Sequence, residues 1–229
     1  MIGQKDKTVN VADKITLIIN NERQYKMANQ HYAIHNFCKN TDIVVEIDAD
    51  DWFPHKQVLS YLNTIYSDPN IWLTYGKYEL DPPQGNSEDS FIKAAEVPQE
   101  IVRKKGFRNY KWIYTGLYTY YAGLFKLIKK EDLIYNGTDA KFKGKFTPLA
   151  TDASIIFPML EMCSDGHFKF IEPVLYVLNR NRTESEAYSG RMKNLRREYA
   201  NILRKMRSIY PTLYFPSWNF DTSKVESVV

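Results

Sequence analysis

The sequence predicts an α/β fold in which a central, mostly parallel sheet is flanked by helices. Short apolar segments at 15–20, 43–48 and 71–79 are rich in β-branched residues and predict strands, and the amphipathic segments 23–38 and 55–67 predict the helices between them. Strands and helices that alternate at this spacing are typical of parallel βαβ units. The chain of 229 residues is long enough for one domain with a substantial core.

The alternation stops after the third predicted strand. Residues 81–109 hold few apolar anchors and predict a long loop, whereas the aromatic and apolar segment 115–128 predicts buried structure. Residues 152–163 predict a helix, and 168–178 predict a strand in two pieces that are separated at Pro173.

The C-terminal region, 183–229, predicts a basic helix and tail that pack on the domain formed by 1–182. Between 191 and 209 apolar residues recur every three or four positions, and most of the remaining positions are basic. Such a helix can dock on an anionic membrane surface or on phosphates, or it can pack its apolar seam on the domain. The shortness of the seam favours packing.

Bulk properties restrict the class of protein. The net charge of +4 does not indicate a nucleic-acid-binding protein. No segment has the roughly 20 apolar residues of a membrane span, and the polar N-terminus does not resemble a signal peptide. Cys38 and Cys163 are predicted to be free thiols. We therefore expect a cytoplasmic protein, with peripheral contact to a membrane surface as an option.

Three carboxylates follow the second predicted strand within four positions. Asp48, Asp50 and Asp51 come at the carboxyl end of that strand, where open α/β sheets bind their ligands. Mg²⁺ and Mn²⁺ take such oxygen ligands and often share them with a phosphate. The alternative is an Asp-rich turn in which Asp51 caps the next helix. Trp52 argues against a phosphohydrolase of the haloacid-dehalogenase type, which has Thr or Val at that position.

The residues from Asn29 to Trp52, which end in DIVVEIDADDW, resemble the central segment of glycosyltransferase family 2. The segments WLTYGKYELDPPQG, LFKLIKKEDL, TDASIIFPMLEM and FIEPVLYVLNRN resemble one branch of that family in the same order, so the resemblance covers about residues 14 to 182. It implies a single-domain GT-A fold and transfer of a sugar from a nucleotide donor (UDP, GDP or dTDP), usually with inversion. The acceptor is a saccharide, a lipid-linked molecule or a protein.

The resemblance also implies roles for the acidic motif. Asp50 is the first choice as ligand of Mn²⁺ or Mg²⁺, and Asp48 contacts the donor ribose or the metal. Asp51 is a weaker metal ligand, with orientation of the motif as its alternative. Asn29, on the preceding helix, is assigned to donor binding.

A general base for the acceptor hydroxyl is implied at the start of a later helix. Asp152 matches that position, and Glu161 in the same helix is the fallback. Tyr75, Trp112 and Tyr118 are candidates for stacking on sugar, with a place in the core as the alternative.

The sequence departs from the family pattern at two places. The strand–helix unit that normally precedes residue 15 and holds the nucleotide base is not recognisable. We therefore expect an abbreviated N-terminus and an exposed sheet edge that is covered by a second copy of the chain or by another partner. Gly116 and Tyr118 stand where the family has His and Arg. These departures keep open a second function, a non-catalytic binding or assembly module that has lost donor binding.

Overall fold

The computed structural model describes residues 15–83, 94–180, 190–206 and 210–217. Within these ranges the chain is a mixed α/β protein. The strands are β1 (Ile43–Val45), β2 (Leu73–Gly76), β3 (Glu79–Asp81), β4 (Thr119–Tyr121), β5 (Phe168–Ile171) and β6 (Val177–Asn179). The helices are α1 (Tyr25–Phe37), α2 (Val58–Ile65), α3 (Gln99–Arg103), α4 (Ala122–Lys126), α5 (Thr151–Met162) and α6 (Gly190–Lys205), with 3₁₀ turns at Gly106–Asn109 and Lys130–Leu133.

The main sheet is mixed, with the strand order β1-β4-β2-β5. β4 pairs antiparallel with both β1 and β2, and β2 pairs parallel with β5. The prediction of a mostly parallel sheet is therefore wrong, because two of the three hydrogen-bonded strand pairs in the main sheet are antiparallel. β1, β2 and β5 do run in one direction, as βαβ units require, but β4 from the segment 115–128 is inserted between the first two. A smaller sheet pairs β3 with β6 in parallel.

The predicted first strand, 15–20, is wrong. These residues form no strand, and Ile15, Leu17 and Ile19 are 64%, 78% and 79% exposed. Pairing with a neighbouring strand is what turns an apolar extended segment into a β-strand, and nothing in the described ranges pairs with this one. β1 accordingly lies at the edge of the sheet.

The predicted loop 81–109 is only partly correct. Residues 84–93 lie outside the described residues. After them come α3 and the first 3₁₀ turn, and the side chains of Val97, Val102 and Phe107 are buried. Three apolar residues suffice to fix this short segment on the core, although their spacing follows neither a helical nor a strand period.

The core is built around α5, which is buried almost along its whole length and contains Pro158. The prediction of a helix at 152–163 is confirmed, as is the separation of β5 from β6 near Pro173. α6 contributes Leu195, Tyr199 and Leu203 to the same core, and the rings of Tyr135 and Tyr199 lie 4.9 Å apart. Of the C-terminal region, 183–189, 207–209 and 218–229 lie outside the described residues.

Candidate functional site

A cavity of about 300 Å³ lies where α1, the carboxyl end of β1, the start of α5 and one face of α6 meet. We call it the acidic cavity. Its charged lining residues are Lys26, Glu46, Asp48, Asp152 and Arg196. The volume is at the lower end of the range for small-molecule sites. Two of the candidate residues from the sequence, Asp48 and Asp152, are thus brought to one cavity from distant parts of the chain.

β1 and its extension place two carboxylates on the same side. The backbone N–H of Glu46 donates to the carbonyl of Tyr118, 3.2 Å away, which continues the strand beyond its last regular residue. Side chains two positions apart in an extended chain share a face, so Glu46 and Asp48 both enter the cavity while Ile47 is 39% exposed. Glu46 is not among the site residues predicted from the sequence, although the two-residue period of an extended chain places it on the same face as Asp48.

Lys26, in the first turn of α1, holds both of these carboxylates. Its Nζ lies 2.7 Å from Oε1 of Glu46 and 2.9 Å from Oδ1 of Asp48. Burial alone would lower the pKa of Lys26, but the charges of Glu46, Asp152 and Asp48 raise it well above its usual value. The lysine is therefore a fixed positive charge in the cavity, and no motif in the sequence indicates this role.

Glu46 is the more enclosed of the two carboxylates that Lys26 contacts. Burial raises its pKa, and the charge of Lys26 partly offsets this. Its Oε2 accepts hydrogen bonds from Nε2 of Gln30 at 2.8 Å and from the hydroxyl of Tyr120 at 3.4 Å. The side chain is thus held at its position by groups from α1 and β4.

Aromatic side chains form much of the remaining wall: Tyr78, Trp112, Tyr118 and Tyr176. Two of the three stacking candidates from the sequence, Trp112 and Tyr118, therefore line the cavity. The hydroxyl of Tyr118 donates to the carbonyl of Tyr114, 2.6 Å away. Tyr75 instead belongs to the core, where its hydroxyl donates to the carbonyl of Ala95 at 2.9 Å.

Gly116 lines the cavity and is required there by the backbone. Its φ is +81°, and a Cβ at this position would lie 2.5 Å from the carbonyl oxygen of Gly76. The absence of a side chain at this position is thus explained by close packing of two backbone segments, independently of any ligand.

The three carboxylates of the acidic motif do not all line the acidic cavity. Asp51 accepts a short hydrogen bond from the hydroxyl of Tyr176 and another from the backbone N–H of Asn179 at 2.9 Å, so it attaches the motif to β6. These contacts correspond to the orienting alternative, and the assignment of Asp51 as a metal ligand stays a prediction. Asp50 is exposed, and only Asp48 lines the cavity.

The described ranges contain no group of three or more His, Cys, Asp or Glu side chains that could hold a metal ion. Asp48 and Asp50 remain as hard oxygen donors. Two carboxylates of this kind fit Mg²⁺ or Mn²⁺ when the ion is shared with the phosphates of a substrate, because Mg²⁺ in particular is usually bound in this way. They do not fit a metal site made by the protein alone.

The two candidate bases have different surroundings. Asp152 lies in the first turn of α5 and lines the acidic cavity. Glu161 is fully buried, and its carboxylate accepts from Nε and Nη2 of Arg108 at 2.5 and 3.0 Å. Arg108 also donates to the carbonyl of Leu203 at 3.1 Å, which ties α6 to the 3₁₀ turn. Glu161 is therefore structural, and its assignment as the fallback base is wrong.

Asn29 lies outside the acidic cavity. Its side chain is exposed, and its Oδ1 accepts from Nδ2 of Asn20 at 2.8 Å. The lining contains Lys26 from the same helix instead.

Comparison with known proteins gives no assignment of family. No protein-family model matches the chain, and no curated protein matches it either. The helices in the described ranges are all too short or too polar to cross a membrane.

Proposed function

We propose that this chain is a glycosyltransferase with a GT-A fold, which transfers a sugar from a nucleoside-diphosphate donor to an acceptor hydroxyl with inversion. The observation that carries the proposal is the meeting of Asp48 and Asp152 in one cavity of ligand size. The sequence resemblance assigns Asp48 to binding of the donor or the metal and Asp152 to the role of general base. It rests on the sequence alone and contains no information on where the two residues lie in space.

Asp152 is the proposed general base. An inverting transfer needs a carboxylate that accepts the proton of the acceptor hydroxyl while the oxygen attacks the anomeric carbon. Asp152 lines the cavity at the opening turn of a helix whose remaining residues are almost all buried, so its backbone position is fixed. The rings of Trp112 and Tyr118 offer apolar surface for a sugar ring beside it.

Asp48 and Asp50 are the proposed ligands of Mn²⁺ or Mg²⁺, shared with the diphosphate of the donor. Such an ion, when bound, acts as a Lewis acid on the departing diphosphate. Asp51 keeps the motif in place through Tyr176 and Asn179. Lys26 offsets the charge of Asp48, which limits the repulsion between the carboxylates before a donor binds.

Calorimetric titration and turnover test the proposal together. UDP, GDP and dTDP are titrated with and without Mn²⁺, and release of nucleoside diphosphate from the matching nucleotide sugar is followed with water as the acceptor. We expect Asp48→Asn to lose Mn²⁺-dependent binding. Asp152→Asn should bind normally and turn over about 10²- to 10⁴-fold more slowly. Glu100→Gln, an isosteric change at an exposed residue of α3, is the matched control.

Two results would contradict these assignments. Normal turnover by Asp152→Asn would remove it as the base. Failure of every nucleoside diphosphate to bind, with or without Mn²⁺, would contradict a glycosyltransferase altogether.

The alternative function is a non-catalytic binding or assembly module. One observation favours it: Nζ of Lys26 already forms ion pairs with Glu46 and with Asp48, and Asp48 is one of the two proposed metal ligands. Such a module would bind a saccharide in the acidic cavity without Mn²⁺ and without turnover. Saccharide binding that is lost in Trp112→Ala, combined with no nucleotide binding, would support this function over the enzyme.

A further inference from the structure

A second, smaller cavity of about 190 Å³ adjoins the acidic cavity. We call it the arginine cavity. The two cavities share Trp112, Asp152 and Arg196 in their linings. The proposed base, Asp152, therefore lies at the boundary between the acidic cavity and the arginine cavity. A general base that acts on an acceptor hydroxyl next to a bound donor needs such a position.

The arginine cavity contains a guanidinium that the protein holds in position. Nη1 of Arg204 donates to the backbone carbonyls of Arg108 and Tyr110, both 2.8 Å away. The guanidinium carbon lies 5.8 Å from the centre of the Phe157 ring, and that ring is buried. An arginine fixed in this way loses little side-chain entropy when a ligand binds.

The two cavities differ in the balance of charge. The acidic cavity has three carboxylates against Lys26 and Arg196, whereas the arginine cavity has Arg196 and Arg204 against Asp152 alone. Two guanidinium groups beside one carboxylate favour an anion, and the fork of N–H donors on arginine matches phosphate and carboxylate oxygens. The acidic cavity therefore favours a ligand that binds together with a metal cation, and the arginine cavity favours an anionic ligand.

The other walls of the arginine cavity are apolar. They are formed by side chains from α5 and α6, among them Ala153, Phe157 and Ala200. A volume of about 190 Å³ is smaller than an ordinary ligand pocket, so the cavity has room only for a fragment of a larger molecule. The fragment must combine an anionic group with a short apolar segment.

We infer that the arginine cavity is the acceptor subsite and that the acceptor is an amphipathic anion, a phosphate monoester attached to an apolar chain. This inference rests on the proposed function for the assignment of Asp152. Arg196 and Arg204 bind the phosphate, and the apolar segment packs on Ala153, Phe157 and Ala200. A separate hydroxyl of the same acceptor lies at Asp152, which takes its proton as the oxygen bonds to the anomeric carbon and the nucleoside diphosphate leaves.

The experiment titrates the whole chain with hexyl phosphate, inorganic phosphate and glucose 6-phosphate by calorimetry. We expect hexyl phosphate to bind most tightly, with a gain of up to about fourfold for each methylene group that the cavity buries. Ala200→Leu, which adds volume on the apolar wall, should weaken hexyl phosphate at least tenfold. Arg196→Gln should weaken all three phosphates at least tenfold.

Neighbouring residues on α6 provide matched controls. Arg197→Gln removes an exposed arginine, and Asn201→Leu adds a leucine at an exposed position. Neither residue lines the arginine cavity, so both variants should bind the three phosphates as tightly as the parent protein does. Equal weakening by the control variants would overturn the inference. Equal affinity for glucose 6-phosphate and hexyl phosphate would also overturn the inference, because the apolar walls would then contribute nothing to binding.

The two proposals can fail separately. Ala200 lines only the arginine cavity, so Ala200→Leu should leave binding of UDP and Mn²⁺ unchanged. Hexyl phosphate that binds in this Ala200-dependent way without any nucleotide binding would contradict the enzyme and keep the anion site. Nucleotide binding and turnover without any effect of Ala200→Leu on hexyl phosphate would contradict the anion site alone.

Discussion

Replacement of Lys26 by methionine tests whether one lysine balances the charge of the acidic cavity. Its two ion pairs differ in exposure: the side chain of Glu46 is 11% exposed and that of Asp48 is 41% exposed, while Lys26 itself is 36% exposed. Exposed pairs contribute about 0.2–1 kcal/mol, and removal of one partner of a fully buried pair costs about 3–5 kcal/mol. Because Lys26 lies between these cases, we expect Lys26→Met to lower the free energy of unfolding by about 2 kcal/mol at pH 7.

The loss should depend on pH in a defined direction. Lys26 lowers the pKa of Glu46, so its removal raises further a pKa that burial already raises. A carboxylate with a raised folded-state pKa contributes its full stability below its unfolded value of 4.5, and this contribution is lost as the pH rises through the folded pKa. The difference between Lys26→Met and the parent protein should therefore be small near pH 4 and should grow towards pH 7.

Urea unfolding at about pH 4 and pH 7 measures both effects. The matched control is Lys77→Met, which removes an ion pair to Glu172, a side chain that is 75% exposed. We expect the control to lose less than about 1 kcal/mol. A loss for Lys26→Met that is the same at both pH values, or no larger than that of the control, would refute this account of the cavity.

Two further predictions concern the framework of the site. Gly116→Ala should lower the free energy of unfolding by about 1–3 kcal/mol, because the new Cβ would meet a backbone carbonyl at 2.5 Å and the residue has positive φ. Gly144→Ala, which has positive φ but open space around it, should lose less in the same urea experiment. Glu161→Gln should cost about 3–5 kcal/mol by thermal or urea unfolding, since it leaves Arg108 buried without a counter-ion. The double change Glu161→Met with Arg108→Met should recover much of this loss, and a double variant as unstable as the single one would show that the pair is not the cause.

Local sequence pattern predicted those elements whose partners lie close in the chain. The helix of 152–163 and the separation of the last two strands near Pro173 follow from composition and proline stereochemistry alone, and the structure contains both. The position of 15–20 does not follow, because an apolar β-branched segment becomes a strand only when another strand pairs with it. The insertion of β4 between β1 and β2 is likewise a choice between pairing partners, and residue type does not encode it.

The residues of the candidate site also fall into two groups, those whose positions follow from local sequence pattern and those that only tertiary packing brings to the site. The sequence by itself determined that carboxylates follow β1 and begin α5, because those positions are set by local pattern: Asp48 and Asp152. Only the tertiary structure decided which neighbours these carboxylates meet. It brought in Lys26 and Arg196, which carry no motif, turned Asp51 towards β6 and enclosed Glu161 with Arg108. The physical reason is that charge interactions act through space over a few ångströms, so their partners depend on how distant segments pack.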